Sequence, residues 1–276
     1  LLEEYMHPGT LRPATGGIPE RDTLWTRELY RQENAVPSDI PVNNPLWPDP
    51  FGTSGAPITY HRESVCPADL EALRARVRSL GGTINDAVIA AYFLAMIELT
   101  GHTGPIDLFF PINLRQHLKD GSRVMSNQST NVGFVFERRD HEGMETILPR
   151  IIAKTRVLKA RGIGIAEQVA MDAASDPEGR HIHRMVEQIA DLQKTGLADI
   201  FLSNPGPFTL PDISGLSDAY ICYPGGYMPT TSFVVSTFRG RMTITMGYQD
   251  SVRAKAGTRK ALDLFKGHLL SVAEGT

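Results

Sequence analysis

Polar side chains that stand at the ends of apolar runs are where this sequence offers chemistry. Asn113 and Arg115 follow the apolar run that begins at Ile106, Ser203 and Asn204 follow another and precede Pro205-Gly206-Pro207, and Thr83, Asn85 and Asp86 open a third. A carboxamide both donates and accepts hydrogen bonds, and a guanidinium grips a carboxylate through two parallel bonds. Imidazole is the usual general base near neutral pH, and the chain has eight: His7, His61, His102, His117, His141, His181, His183 and His268. His181 and His183 stand two apart on an expected helix over His181–Lys194, so they point to different faces and make a poor metal pair or dyad. Surface positions in solvent are expected for them. Cys66 and Cys222 are far apart with no CxxC or Cys/His ligand spacing, so reduced thiols are expected and no metal ligands are assigned.

Each of these groups also has a plain structural role. Thr83 with Asp86 three residues on has the form of a capping box, and Asn85 and Asp86 cap backbone donors whatever the function. Asn204, with Ser203 before it, either fixes a turn or lines a tunnel. Arg115 is either a functional guanidinium or an ordinary strand-end arginine in solvent. Gly225-Gly226 reads first as a loop, and Asp250 has no partner visible in the sequence.

The elements that must position these residues follow from periodicity. Pro37, Pro41, Pro45, Pro48, Pro50 and Pro57 favour extended chain, so residues 1–60 read as an N-terminal segment and proline-rich crossover or linker, with a short helix around Arg21–Gln32. From Cys66, Pro67 suits a first helical turn, Leu70, Leu73, Val77 and Leu80 recur at helical spacing, and Gly81-Gly82 ends the helix. Ile84–Leu99 is apolar on nearly every face and belongs inside the fold. Strands are expected at Ile106–Phe110, ended by Pro111, and at Asn131–Glu137, separated by a polar loop over Gln116–Thr130. Met144–Lys159 reads as a helix despite Pro149. Strands follow at Asp199–Ser203, Ala219–Tyr223, Thr231–Phe238 and Arg241–Tyr248, the last two joined by Arg239-Gly240, and a helix over Thr258–Val272 closes the chain. Strands and helices mix without strict βα alternation, which predicts an α+β domain, a mixed β-sheet flanked by helices.

The stretch Gly82-Thr83-Ile84-Asn85-Asp86-Ala87-Val88-Ile89-Ala90-Ala91 resembles the Thr-x-Asn-Asp-x-x-x-Ala-Ala segment of wax ester synthases and condensation-like acyltransferases. Pro111-Ile112-Asn113-Leu114-Arg115 is similar to the Pro-x-Asn-x-Arg strand end of the same group, and Asn131-Val132-Gly133 follows at a matching distance. Leu202-Ser203-Asn204-Pro205-Gly206-Pro207 resembles its Ser-Asn-x-x-Gly-Pro segment, and the hairpin with Arg239-Gly240-Arg241 its Tyr-x-Gly-x-Leu counterpart. Order and spacing agree over roughly residues 58–276, so 61–276 is identified as the C-terminal lobe of a two-lobed fold of the chloramphenicol-acetyltransferase-like, CoA-dependent acyltransferase superfamily.

The resemblance implies that an acyl thioester, on coenzyme A or a phosphopantetheine arm, meets an alcohol, amine or thiol acceptor in a tunnel between the lobes, with no further cofactor. The second histidine of a His-His-x-x-x-Asp-Gly motif in the N-terminal lobe removes the acceptor's proton. None of the eight histidines here is followed by that aspartate and glycine, so no catalytic residue is assigned to this chain and it is expected to be inactive alone. Arg115 is implied to pair with the signature aspartate and hold the catalytic loop, while Asn113, Asn131, Ser203, Asn204 and Tyr223 are the tunnel candidates. The family's Asp-Phe-Gly-Trp-Gly segment has no clear match near Tyr223–Gly226, which leaves the acceptor class open. The partner is then an N-terminal lobe of the same protein or a second copy; a chain beginning at Leu1 is expected to be a truncation, a processed product or a fragment. The alternative is a non-catalytic binding or interaction module that keeps the fold.

Bulk composition narrows the classes. A hydrophobic share of 41% and a charged share of 21% are ordinary for a globular domain. A net charge of -3 gives no electrostatic reason for nucleic-acid binding. No apolar stretch reaches the length of a membrane span and the start carries acids, so a cytoplasmic location is expected.

Overall fold

The apolar run opened by Thr83 forms the centre of the molecule. The computed structural model describes residues 47–48, 57–117, 129–168, 197–223, 230–249 and 252–274. Among the described residues the long helices are α1 (Pro67–Ser79), α2 (Ile84–Thr100), α3 (Met144–Ala160) and α4 (Val252–Glu274). The strands are β1 (Trp47–Pro48), β2 (Ile58–Val65), β3 (Ile106–Asn113), β4 (Ser129–Phe136), β5 (Leu197–Pro207), β6 (Thr230–Phe238) and β7 (Arg241–Gln249). The expected helices over Arg21–Gln32 and His181–Lys194, Gly225-Gly226 and Asp250 lie outside the described residues.

The sheet order is β2-β7-β6-β5-β3-β4, with β1 paired to β5. β5 runs parallel to both β3 and β6, and the remaining pairs are antiparallel, so the sheet is mixed. The Arg239-Gly240 turn between β6 and β7 has φ of +45° and +79°, the two positive values that a tight hairpin turn requires.

α2 is buried from Asp86 to Ile97, as its all-round apolar sequence demands. Tyr92 meets Phe233 of β6 edge-on at 5.3 Å, and Phe233 meets Phe265 of α4 at 5.6 Å, so three rings join α2, the sheet and α4. Phe93 packs on Phe136 of β4 at 5.3 Å. Burying each such ring contributes on the order of 2 kcal/mol. α1 is capped by Cys66, whose sulfur accepts the Asp69 N–H, and it turns Leu70, Leu73 and Val77 inward.

The helices cover one face of the sheet and residues 208–223 cover part of the other. Phe233 and Val235 of β6 face the helices, whereas Ser236 faces this segment and its hydroxyl accepts the Ile221 N–H at 3.0 Å. From β7, Thr245 Oγ1 donates to the Ile221 carbonyl at 3.0 Å.

Three sequence expectations change. Ala219–Tyr223 is not a strand. The edges of β6 and β7 are already taken by β5, by each other and by β2, so the segment lies across the face and uses side-chain hydroxyls as backbone partners. Pro111 does not end β3, which continues to Asn113 with Pro111 opposite Asn131. Proline is tolerated where one side of a strand carries no ladder, and the described pairing of β3 with β5 is at Phe109, before Pro111. β2, which begins at Ile58 and pairs with β7 along its whole length, has no counterpart among the strands expected from the sequence.

Candidate functional site

The parallel strands β3 and β5 end side by side, and the N-terminus of α2 points at the same place. A cavity of about 450 Å³ opens there, lined by Asn85 of α2, Asn113 of β3, Asn204 of β5, Arg74 of α1 and Thr155 and Lys159 of α3. Thr83, Gln116, Ile163, Gly206 and Met242 complete much of its wall. Ligands gather at such strand ends because side chains from separated segments converge there on a rigid frame.

The turns explain why these side chains are in place. β5 breaks register with β6 between Ser203 and Gly206, and Gly206 takes φ +77°, a left-handed value that suits glycine. Its N–H donates to Asn204 Oδ1 at 3.1 Å, and Asn204 Nδ2 donates to Asn85 Oδ1 at 3.0 Å. At the end of β3, Asn113 Oδ1 accepts the Arg115 N–H at 3.1 Å as the chain enters a short helical turn, Leu114–His117.

Asp86 sits behind this wall, 2% exposed. Its Oδ2 accepts both the N–H and the hydroxyl of Thr83 at 2.7 Å, so the carboxylate reaches back to the helix start as the sequence led one to expect. Its Oδ1 accepts the Thr155 hydroxyl at 2.6 Å and lies 3.9 Å from Lys159 Nζ. A buried carboxylate requires such partners, and these also tie α2 to α3.

The sequence candidates thus divide by place. Thr83, Asn85, Asn113 and Asn204 share the cavity, with Asp86 bracing its wall. Arg115 is half-buried beside Asn113 in the turn after β3. Asn131 is half-buried opposite Pro111 in β4, and Ser203 is half-buried opposite Val234. Tyr223 is exposed at the end of the segment on the other sheet face, away from the amides. Arg74, Thr155 and Lys159 also line the cavity, although no sequence motif singles them out. Thr155 left a signal, since it is the polar residue on the buried stripe Ile147, Leu148, Ile151, Ile152 and Leu158.

No histidine is among the described residues that line the cavity. His117 is near its Gln116 edge, but its Nε2 meets the Ile163 carbonyl at 3.1 Å, and His61 Nε2 meets the Tyr248 hydroxyl at 3.1 Å. His268 of α4 faces a shallow open groove of about 530 Å³ with Arg259, Lys260 and Asp263, and its Nε2 lies 3.4 Å from Glu98 Oε1. Burial pushes the His268 imidazole below its ordinary range, against the pull of Glu98 and with the push of Arg138. Both cysteines are free thiols; burial pushes that of Cys222 up. Among the described residues no cluster of three or more His, Cys, Asp or Glu is arranged to hold a metal ion, and no single helix is long and apolar enough to cross a membrane.

No protein-family model and no curated protein matches the sequence. Solved structures do match the fold. The epimerization domain from the third module of tyrocidine synthetase B is 14% identical with a TM-score of 0.62, over 99% of this chain and 63% of that one. The trichothecene 15-O-acetyltransferase TRI3 from Fusarium sporotrichioides is 15% identical with a TM-score of 0.58, over 79% of this chain and 47% of that one. The PapA2 acyl transferase is 14% identical with a TM-score of 0.54, over 99% and 55%. The chain therefore spans between 47% and 63% of the length of these structures. Its mixed sheet flanked by helices is the fold shared with these condensation-type and acyltransferase structures.

Proposed function

We propose that this chain forms the C-terminal lobe of a cytoplasmic acyltransferase, which moves an acyl group from a coenzyme A or carrier-protein thioester to an alcohol, amine or thiol. One observation carries the proposal: the cavity at the ends of β3 and β5 gathers four carboxamides, Asn85, Asn113, Gln116 and Asn204, and no histidine among its described lining. Carboxamides suit the amide-rich arm of an acyl thioester, binding it without moving a proton. In this reading the general base comes from an N-terminal lobe carrying His-His-x-x-x-Asp-Gly, and Arg115, at the end of β3, braces that loop by pairing with its aspartate.

The test is an assay of the chain with an acyl-CoA and a panel of alcohols and amines, with and without a lobe that carries the histidine motif. Turnover only in the mixture supports the division of labour, and turnover by the chain alone refutes it. The absence of histidine from the described lining also favours a second reading, a binding module that holds thioesters without reacting them; acyl-CoA binding with no turnover in any mixture selects it.

A further inference from the structure

Gly206 sets the orientation of two side-chain amides in the cavity. Its backbone N–H approaches the Asn204 side chain at 3.1 Å. An N–H needs an acceptor, so the atom it meets is the carbonyl oxygen, and the NH2 group of Asn204 is turned toward Asn85. That NH2 donates across 3.0 Å, which by the same logic makes its recipient Asn85 Oδ1. Asn85, a residue of the cavity lining, is left with its own NH2, which makes no hydrogen bond to any other described residue. A lone asparagine offers a ligand either a donor or an acceptor. Here the choice is made by the backbone N–H of Gly206, through Asn204, which stands 119 positions from Asn85 in the sequence.

We propose that Asn204 is a positioning residue that turns the Asn85 NH2 to the cavity as a donor, so that this end of the cavity takes the carbonyl oxygen of an amide or thioester. The polarity follows from the relay alone. The choice of a thioester as natural occupant rests on the acyltransferase reading.

Asn204→Asp reverses the polarity. One carboxylate oxygen still accepts the Gly206 N–H, while the other faces Asn85, which must turn over to donate to it and leave Oδ1 toward the cavity. Asn204→Ala releases Asn85 to turn either way. The full chain, ¹⁵N-labelled, is titrated with N,N-dimethylacetamide, an amide with an acceptor and no donor, and with S-acetylpantetheine, whose lack of charge keeps the new carboxylate from repelling it. The side-chain NH2 signals of Asn85, identified by their loss in Asn85→Asp, report the contact. In the wild type they shift saturably with both probes. In Asn204→Asp both affinities fall about tenfold or more and the Asn85 signals stop responding, and Asn204→Ala falls between. Asn85 signals unmoved by N,N-dimethylacetamide in the wild type, or Asn204→Asp binding it as tightly, overturn the relay. If N,N-dimethylacetamide behaves as stated and S-acetylpantetheine does not bind, the relay holds and the acyl-thioester reading fails.

Discussion

Thr155, the polar residue on the buried stripe of α3, donates its hydroxyl at 2.6 Å to Oδ1 of Asp86 in the first turn of α2. Asp86 thus does two things at once, since its other oxygen holds the N–H and hydroxyl of Thr83. The helix that fills the core and the helix that flanks the cavity are joined through one carboxylate.

Removing that carboxylate leaves buried donors without partners. Asp86→Ala is expected to cost about 2–4 kcal/mol, and Thr155→Val less, about 1–2 kcal/mol, because the other donors to Asp86 remain. Urea unfolding measures both. The double variant should cost less than the sum of the singles, since each change removes the same bond. An Asp86→Ala stability equal to wild type would show that the node does not tie the helices.

His268 gives stability a pH dependence. Burial holds its pKa below the ordinary 6.5 in the folded chain, with Glu98 opposing and Arg138 assisting. As pH falls, the unfolded chain takes the proton first, so this contribution is fully present above 6.5 and is lost below it. His268→Gln should therefore flatten the loss of stability between about pH 7 and pH 5 in denaturant unfolding. Parallel profiles for variant and wild type would contradict the assignment.

Gly133 stands where a side chain has no room. A Cβ there would lie 2.9 Å from Asp107 Oδ1, the atom that accepts the Phe134 N–H at 2.7 Å. Gly133→Ala should displace the buried Asp107 carboxylate and destabilise the β3–β4 pair by about 1–3 kcal/mol, read by thermal unfolding and by faster exchange of the Phe134 amide. An unchanged exchange rate at Phe134 would show that the carboxylate accommodates the methyl group.

Much of this fold is legible in the sequence where one local force dominates. α2 has apolar residues on every face, and only a buried helix can satisfy that pattern. Arg239-Gly240 supplies the positive φ pair of a tight hairpin. Ala219–Tyr223 misleads because its residue types favour strands, yet no free ladder position exists beside β6 or β7, and ladder occupancy is a property of the whole sheet. β2 was hidden for the opposite reason: its two faces carry polar residues, with Glu63 bound to Lys266 of α4 at 2.8 Å and Arg62 over the Tyr220 ring at 4.6 Å. Such a strand has no clean alternation to read. Asn85, Asn113 and Asn204 stood out as motif residues, but their meeting depends on β3 and β5 lying parallel, which no local pattern encodes.

The proposed function requires the cavity at these strand ends to hold an acyl thioester. Titrating the ¹⁵N-labelled chain with acetyl-CoA and mapping the backbone amides that move tests it most directly. Saturable shifts around Asn85, Asn113 and Gly206, with none around His268, are expected; shifts confined to the α4 groove, or no saturable shift at any amide, would overturn the proposal.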